Sequence, residues 1–419
     1  MDKNRIKKII LDQSLIKEKK DIIKRELEND IEKNKKSKQI LILSGIRRCG
    51  KSTLLHKIRS KNKESDYYLN FDDERLIDFK VDDFQKLYEI FLELFGEQKT
   101  FYFDEIQNIE NWERFVRRIH DDGNKIYITG SNASMLSREL GTHLTGRHVQ
   151  KKLFPFSFRE FLNYNNIRIS NVERLDTRES IKMKKAFNLF FKKGGFPEYL
   201  KTNDIEYLKS LYESIIYRDI VTRYKLTNEK QIKELVFYSA SNIGKEVSFN
   251  SLKNVIGVKN STTVKEYFGY LENSFLVFLL PKYDYSLKKQ IYYNKKLYII
   301  DNALAQAVGF RFLEDYGRML ENIVFLELKR RAKEIFYHQA KKECDFIIKE
   351  GIKIVEAIQI VKTMSEEKTR KREMDGLIEA MEAYKLKQGL ILTEDEEGEE
   401  MIANKKIKIM PVWKWLLRI

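Results

Sequence analysis

The sequence predicts an α/β protein built on a parallel β-sheet with crossover helices. From residue 39 to about residue 154, short apolar runs alternate with segments of helical spacing, which is the pattern of parallel strands joined by helices. One of these strands leads into a glycine-bearing loop, and another ends in two acidic residues. The expected strands are 39–44, 66–71, 100–104, 125–129 and 148–154, and the expected helices are 51–62, 82–95 and 111–121.

Residues 45–52 read Gly-Ile-Arg-Arg-Cys-Gly-Lys-Ser and match the pattern GxxxxGK[ST] between a buried strand and a helix. The backbone N–H groups of such a loop, with the positive end of the helix dipole, hold the phosphates of a nucleoside triphosphate. Lys51 is expected to reach the β- and γ-phosphates and Ser52 to bind Mg²⁺. The alternative for Lys51 is a solvated loop lysine. The expected nucleotide contacts are Gly45, Arg47, Arg48, Cys49, Gly50, Lys51, Ser52 and Thr53.

Polar residues end two further predicted strands. Asp104 and Glu105 close the strand at 100–104, and a carboxylate in that place lies at the sheet edge where ligands of open α/β sheets bind. Asp104 is expected to hold Mg²⁺, and Glu105 to orient and deprotonate the attacking water. Ser131 and Asn132 follow the next strand and are expected to contact the γ-phosphate and the water. The alternatives are an ordinary pair of strand-end acids and a plain turn.

The composition favours a basic protein with an acidic partner. The chain has 419 residues, and 79 Lys and Arg against 63 Asp and Glu give a net charge of +16. Nucleic acid is the commonest partner of such a chain, and plain solubility is the alternative. The longest apolar run, 275–280, is too short to span a membrane, and the N-terminus lacks the apolar core of a signal peptide. Cys49 and Cys344 imply no disulfide framework or zinc site. These features predict a cytoplasmic protein with no membrane contact.

The sequence divides into five predicted segments. They are an N-terminal helical segment (1–38), a P-loop ATPase core (39–154), a helical lid (155–229), a winged helix-turn-helix (230–285) and a last α/β unit (286–419). Inside the lid, Gly194 and Gly195 are expected to end one helix and Pro197 to begin the next.

The fourth segment has the outline of a winged helix-turn-helix. A helix from 232 to 242 precedes the run 247–256, Gly257 makes a turn, and Ser261 is expected to cap a second helix that a β segment follows. An exposed face of that helix would bind DNA. The alternatives are a solvated face and a protein-binding face. The expected DNA contacts are Lys253, Lys259, Asn260, Thr262, Thr263 and Lys265.

The motifs together resemble an archaeal and bacterial family of AAA+-type ATPases that joins a winged helix and a C-terminal domain of unknown function to the ATPase core. The likeness extends over nearly the whole chain, and it implies ATP, Mg²⁺ and a sheet of strand order 5-1-4-3-2. It rests, besides the phosphate loop, on Phe-Asp104-Glu105-Ile-Gln-Asn, Thr-Gly130-Ser-Asn, Leu144-Thr-Gly-Arg147, Pro155-Phe-Ser-Phe-Arg-Glu-Phe161, Gly-Gly-Phe-Pro197-Glu, Tyr217-Arg-Asp219-Ile and Glu343-Cys-Asp345-Phe.

The resemblance also suggests an arginine that acts across a subunit interface. Oligomeric AAA+ enzymes often insert an arginine into the neighbouring site to stabilise charge on the γ-phosphate. Arg147 is the first candidate for this role and Arg218 the second. The alternative for both is a structural salt bridge. A homo-oligomer is therefore expected.

The last unit, 286–419, resembles a restriction-endonuclease-like fold. Working members of that fold hold a metal ion with acids on a helix and on two strands, and a lysine assists. Glu321 and Asp345 match the first two acids, but Gln359 stands at the third acid position and Val361 at the lysine position. We therefore predict an inactive nuclease fold that is retained for binding or assembly.

Three functions are compatible with the sequence. The first is an ATPase that couples its nucleotide state to double-stranded DNA. The second is a nucleotide-switched signalling or scaffold protein that oligomerises and contacts protein partners, including partners of the C-terminal domain. The third is an ATP-dependent nuclease, which the substitutions at Gln359 and Val361 disfavour.

Overall fold

The computed structural model describes residues 1–15, 22–35, 37–132, 144–168, 171–309 and 316–418. The chain forms two compact units. The first contains Met1–Phe154 with the short piece Asn273–Phe275, and the second contains Pro155–Glu272 and Leu276–Ile419.

The first unit alternates helices and strands as the sequence predicts. Its strands are β1 (Ile40–Ser44), β2 (Tyr68–Asn70), β3 (Thr100–Asp104), β4 (Lys125–Gly130) and β5 (His148–Lys152). Its helices are α1 (Lys3–Ser14), α2 (Leu27–Lys33), α3 (Lys51–Ser60), α4 (Asp83–Phe95) and α5 (Trp112–Asp121), with short 3-10 turns at Glu74–Leu76 and Ile106–Asn108.

All five strands pair in parallel in the order β2-β3-β4-β1-β5. This is the predicted order 5-1-4-3-2 read from the other edge, so the prediction is confirmed. The register sets Ser44 beside Gly130 and Asn70 beside Asp104. Because the strands are parallel, their carboxyl ends share one edge of the sheet, and the residues that follow them meet there.

Apolar side chains are buried on both faces of this sheet, and those on one face form a large core with the helices. Both β1 and β3 are apolar and buried along nearly their whole length, as expected for strands covered by helices on both sides. Helix α1 adds Ile6, Ile9 and Ile10 to the same core. The predicted N-terminal segment is thus packed on the sheet through its helically spaced isoleucines.

The second unit begins with helices and continues with two sheets. Its helices are α6 (Phe158–Tyr164), α7 (Thr177–Lys193), α8 (Pro197–Thr202), α9 (Ile205–Ser214), α10 (Glu229–Ser241), α11 (Phe249–Val255), α12 (Ser261–Asn273), α13 (Leu287–Tyr292), α14 (Asn302–Val308), α15 (Tyr316–Arg330), α16 (Glu367–Ala383) and α17 (Val412–Leu416). Its strands are β6 (Glu246–Val247), β7 (Val277–Pro281), β8 (Lys295–Ile299), β9 (Glu334–Gln339), β10 (Glu343–Glu350), β11 (Lys353–Ile360), β12 (Gln388–Thr393), β13 (Gly398–Ile402) and β14 (Lys405–Pro411).

The first of these sheets has three antiparallel strands in the order β6-β8-β7. The second has six strands in the order β13-β14-β12-β11-β10-β9, and α16 supplies buried methionines and Leu377 to its core. Since β8 pairs with β6 and β7, the predicted boundary at residue 286 falls between two strands of one sheet. The predicted domain boundaries otherwise stay predictions.

Helix α9 continues as a π-helical segment, Ile215–Thr222. One local expectation is wrong. Ser261 does not cap α12. The side chain of Asn260 does, with its Oδ1 accepting from the backbone N–H of Thr263 at 2.9 Å and from its hydroxyl at 3.0 Å.

None of the described helices is both long and apolar enough to cross a membrane.

Candidate functional site

The loop at 45–52 connects β1 to α3 at the carboxyl edge of the parallel sheet. Gly50 has a φ of 101°, a backbone conformation that favours glycine, and α3 begins at the next residue. A Cβ on Gly45 would lie 2.1 Å from the carbonyl oxygen of Leu153. Both glycines of the motif are therefore required by the local geometry, and the loop presents the amino end of α3.

Lys51 is enclosed by its own loop and by the acid of β3. Its residue is 4% exposed, and Nζ lies 3.2 Å from the carbonyl oxygen of Ile46 and 3.2 Å from Oε1 of Glu105. Burial opposes the charged form, but the Glu105 carboxylate outweighs it and raises the pKa of Lys51. The ammonium is therefore charged and directed into the loop.

Asp104 is 1% exposed and is surrounded by hydroxyl groups. Its carboxylate accepts hydrogen bonds from Ser52 Oγ at 3.1 Å, from Thr129 Oγ1 and from the hydroxyl of Tyr68 at 3.5 Å. Burial, reinforced by the nearby Glu105 charge, raises the pKa of Asp104 to about 6. A buried carboxylate beside a serine hydroxyl is an all-oxygen donor set, which fits Mg²⁺. Ser52 and Asp104 are thus the residues that would hold the ion.

Glu105 differs from its neighbour because it faces the lysine. Oε2 accepts a hydrogen bond from Gln107 Nε2 at 2.5 Å, and the backbone N–H of Glu105 donates to Thr129 Oγ1 at 2.9 Å. Burial acts to raise the pKa of Glu105, but Lys51, Gln107 and Arg47 together outweigh it and lower the pKa to about 2. The side chain is 12% exposed. Glu105 is therefore an ionised carboxylate with some access to solvent.

The polar residues after β4 lie in the same place. Ser131 and Asn132 are buried, and Gln107 Nε2 lies 3.4 Å from Ser131 Oγ. Gln107 thus connects Glu105 to the end of β4. Sequence reasoning did not single out Gln107, Thr129 or Tyr68, although Gln107 belongs to the acidic motif itself and could have been found there.

Arg25 is a further residue that the sequence did not reveal. It is buried, and its guanidinium donates to the carbonyl of Cys49 at 2.8 Å and to the carbonyl of Phe154 at 2.6 Å. Arg25 therefore braces the phosphate loop from outside the motif. It lies in the predicted N-terminal helical segment, 24 residues before Cys49, where nothing in the local sequence indicates this contact.

The other predicted loop residues divide into buried and exposed groups. Cys49 is buried with Sγ 3.4 Å from the carbonyl oxygen of Leu153, and Thr53 lies in the first turn of α3. Arg47 forms an ion pair with Asp72 at 3.6 Å, while Arg48 is exposed and has a φ of 66°.

Arg147 does not lie near the phosphate loop of its own chain. Its carbonyl accepts from the backbone N–H of Ile40, at the amino end of β1, whereas the loop follows the carboxyl end of that strand. Its Nε pairs with Asp121 at 3.0 Å. The sheet geometry thus excludes a contact between Arg147 and the phosphate loop of its own chain. Its role in a neighbouring subunit stays a prediction. Arg218 is exposed in the π-helical segment, and its role also stays a prediction.

The predicted DNA contacts surround the start of α12. Lys259, Asn260, Thr262 and Lys265 are exposed, and Lys253 and Thr263 are half-buried. The side chain of Asn260 accepts hydrogen bonds from Thr263 at the amino end of α12, so both residues contribute to capping this helix.

The nuclease-like positions come together in the second unit, joined by a lysine that the sequence analysis did not identify. Lys296 Nζ lies 3.2 Å from Glu321 Oε1 and 2.9 Å from Asp345 Oδ1. The neutral Gln359 accepts from the backbone N–H of Asp345 at 3.2 Å. Burial opposes the charge on Lys296, but Asp345 and Glu321 raise its pKa well above the ordinary value. Burial raises the pKa of Glu321 to about 8, against the opposing effect of Lys296.

Two family models and several relatives match this chain. An AAA domain family model matches residues 37–162, and the model of a domain of unknown function, DUF8612, matches residues 184–314. The chain is 36% identical to the uncharacterized protein MJ1544 of Methanocaldococcus jannaschii, covering 98% of this chain and 94% of that protein. It is 31% identical to an uncharacterized protein of Haemophilus influenzae, covering 90% and 94% respectively.

Among solved structures, the Thermotoga maritima RuvB Holliday junction branch migration motor is 16% identical, covers 66% of this chain and 94% of that chain, and has a TM-score of 0.30. That score carries no argument about function. The AAA domain match and the full-length relatives do identify the family. The chain belongs to the AAA+ family of P-loop ATPases and shares nearly its whole length with these relatives.

Proposed function

We propose that this protein binds ATP with Mg²⁺, hydrolyses the γ-phosphate and couples its nucleotide state to double-stranded DNA. The observation that carries the ATPase part is the meeting of Lys51, Asp104 and Glu105 at one sheet edge, beside the amino end of α3. A cation, an ion-binding carboxylate and a second carboxylate that can act on the attacking water are the three groups that hydrolysis of a triphosphate requires.

The residues divide the work as their surroundings allow. The loop N–H groups and Lys51 would neutralise the phosphate oxygens. Ser52 and Asp104 would hold Mg²⁺, which supplies charge neutralisation on the phosphates when bound. Glu105 would orient and deprotonate the water, with Gln107 holding one of its oxygens. Ser131 and Asn132 would contact the γ-phosphate and the water from the end of β4.

The ion pair between Lys51 and Glu105 suggests how the site changes when ATP binds. Each is the charged partner of the other at 3.2 Å. A phosphate is a stronger partner for the ammonium than a single carboxylate, so ATP would displace Glu105 from Lys51. The displaced carboxylate would then be available to the water. The base is thus engaged before ATP arrives and released by it.

The ATPase part is tested by phosphate release from the full-length protein. Lys51→Ala is expected to lower the hydrolysis rate by about 100-fold or more, because the main cation facing the phosphates is lost. Lys63→Ala is the control, since it removes an exposed lysine just beyond α3. Unchanged hydrolysis in Lys51→Ala would remove the catalytic proposal.

The DNA part rests on the region from α10 to β8. Four helices and a three-stranded antiparallel sheet follow the order helix, strand, helix, helix, strand, helix, strand. Apart from the short α13 between the last two strands, this order supports the winged-helix interpretation. Lys259 and Lys265 are exposed at the second helix of the pair. The net charge of +16 also favours a polyanion.

Fluorescence anisotropy with duplex DNA over a salt series tests this coupling. Lys259→Glu combined with Lys265→Glu is expected to weaken binding and to reduce the slope of affinity against salt by about two phosphate contacts. Lys182→Glu combined with Lys201→Glu, at exposed lysines of α7 and α8, controls for the change in net charge. DNA-independent hydrolysis with no DNA binding at low salt would exclude the coupling.

A protein-binding switch is the second candidate, and one observation favours it. The connection between β7 and β8 exposes Tyr285, Leu287, Ile291 and Tyr292, each by 59% or more. Large apolar side chains concentrated in this way typify protein interaction sites. If duplex DNA fails to bind, ATP-dependent self-association that Leu287→Ser weakens would support this alternative.

A further inference from the structure

The nuclease-like positions enclose a buried lysine that arrives from another sheet. Lys296 belongs to β8 of the three-stranded sheet and has a side chain that is 1% exposed. Its ammonium lies 2.9 Å from Asp345 Oδ1 and 2.6 Å from Glu343 Oε1, both on β10, and 3.2 Å from Glu321 Oε1 on α15. A single positive charge therefore bridges three carboxylates on two elements.

The oxygens that a metal ion would use are already engaged. Asp345 Oδ2 accepts from the backbone N–H of Ile360 at 3.0 Å, and Glu321 Oε1 accepts from the hydroxyl of Tyr298 at 2.5 Å. Behind Glu321, a Cβ on Gly244 would lie 2.5 Å from Oε2, so this side of the carboxylate is closed by backbone. Three of the four oxygens of these two acids therefore already have a polar partner: Glu321 Oε1 and both oxygens of Asp345.

The residues present do not fit a divalent ion. An ammonium 3 Å from both acids would repel a second cation placed between them. At the third acid position, the neutral Gln359 donates to Glu373 Oε2 at 2.5 Å instead of facing the cluster as a carboxylate. Within the described part of the chain, no group of three or more His, Cys, Asp or Glu side chains is arranged to hold a metal.

We propose that the Lys296 ammonium is a built-in cation that takes the place of the divalent metal in this nuclease-like fold. Its task is structural: it fastens β8 of the three-stranded sheet to β10 of the six-stranded sheet. The acids that would hold a catalytic ion serve as the ligands of this ammonium. The six-stranded sheet therefore keeps the acidic centre of a nuclease without metal-dependent cleavage.

Manganese binding tests the proposal in the full-length chain. All variants carry Asp104→Asn, which suppresses ion binding at the nucleotide site, and Mn²⁺ is added without nucleotide and followed by electron paramagnetic resonance. With Lys296 present, we expect no Mn²⁺ site that depends on Asp345. In Lys296→Met, we expect one new site that Asp345→Asn removes, and thermal stabilisation by Mn²⁺.

Lys295→Met is the matched control because Lys295 is the preceding residue of the same strand. Its ammonium contacts backbone carbonyls, and not carboxylates, namely those of Gln290, Ile291 and Tyr293. It should create no Mn²⁺ site. Binding of Mn²⁺ by the chain with Lys296 intact, lost on Asp345→Asn, would overturn the proposal. So would plasmid nicking that requires Asp345.

A variant that also removes two of the carboxylates keeps the test decisive if Lys296→Met folds poorly. Lys296→Met is expected to lower the unfolding midpoint by about 10 °C, because buried carboxylates lose their counter-charge. Adding Glu321→Gln and Asp345→Asn should restore more than half of that loss and abolish any Mn²⁺ effect. A triple variant no more stable than Lys296→Met would contradict the role of Lys296 as a counter-charge.

Discussion

Two clusters in this protein each pair a lysine with carboxylates, and we assign them different functions. In the first unit, Lys51 faces Glu105 beside the buried Asp104. In the second unit, Lys296 faces Glu321 and Asp345. Lys51 begins a helix after a glycine-bearing loop, and its partner Glu105 keeps some solvent access. Lys296 lies in β8, the central strand of the three-stranded sheet, and contacts Asp345 of the six-stranded sheet. Its side chain is 1% exposed.

The difference teaches that the backbone around a charge cluster decides whether its ions can exchange. A loop at a helix terminus offers unpaired N–H groups to an incoming anion, so Glu105 can yield its place to phosphate. A strand interior has its N–H and C=O groups in the sheet ladder, and its enclosed lysine has no competitor. We therefore interpret the first cluster as a ligand-binding site and the second as a structural contact that joins β8 to β10.

The largest expected effect is on stability, and it separates the two lysines. Lys296→Met should cost about 3–5 kcal/mol of unfolding free energy, since it leaves buried carboxylates without a partner. Lys51→Met should cost less, about 1–3 kcal/mol, because the side chain of Glu105 is 12% exposed and keeps its hydrogen bond from Gln107. Denaturant unfolding without nucleotide measures both. Equal losses in the two variants would break the comparison.

The next effect tests the exchange of partners in the first cluster. Glu105→Gln should lower ATP hydrolysis by about 100-fold, because the base is lost. ATP binding should be retained or tightened, since the carboxylate no longer competes with phosphate for Lys51. Single-turnover hydrolysis and binding of a fluorescent ATP analogue separate the two quantities. Weaker binding in Glu105→Gln would contradict the proposed displacement.

The third prediction concerns pH and Asp104, whose pKa is raised from 3.8 to about 6. Below about pH 6, protons should compete with Mg²⁺ at the nucleotide site, and affinity should fall by about tenfold per pH unit. The same shift means that the folded state takes up this proton before the unfolded chain does. Acidification from about pH 7 to 5 should therefore add to stability through this group.

Mg²⁺ titrations in the presence of an ATP analogue measure the first effect, and unfolding at each pH measures the second. Asp104→Asn is the control, since it has no proton to exchange and should flatten both profiles. A wild-type Mg²⁺ affinity that stays constant across this pH range would show that Asp104 is not the ligand.

The smallest expected effect concerns the brace behind the phosphate loop. Arg25→Met keeps much of the buried volume but loses the hydrogen bonds to Cys49 and Phe154. We expect ATP affinity to fall by about 3- to 10-fold, as for two lost hydrogen bonds at a neighbouring position. Arg25→Lys should recover part of the loss. An effect confined to stability, with normal ATP affinity, would make Arg25 a purely structural residue.

The sequence predicted the parallel sheet because the evidence for it is local, whereas the strand order was implied by the family resemblance. Apolar runs of strand length and the helical spacing between them are visible in short windows of sequence. The nucleotide residues were found for the same reason: the phosphate loop is contiguous, and Asp104 and Glu105 end a recognisable strand. Strand ends in a parallel sheet share one edge, so local order alone brought these residues together.

Only the tertiary structure brought Lys296 to Glu321 and Asp345, which lie 25 and 49 residues away along the chain. It alone also showed that Arg147 lies at the opposite sheet edge from the phosphate loop of its own chain. The sequence around a charged residue does not indicate which distant charged residue it will pair with in the fold. Burial and strand pairing decide that, and they depend on the whole fold.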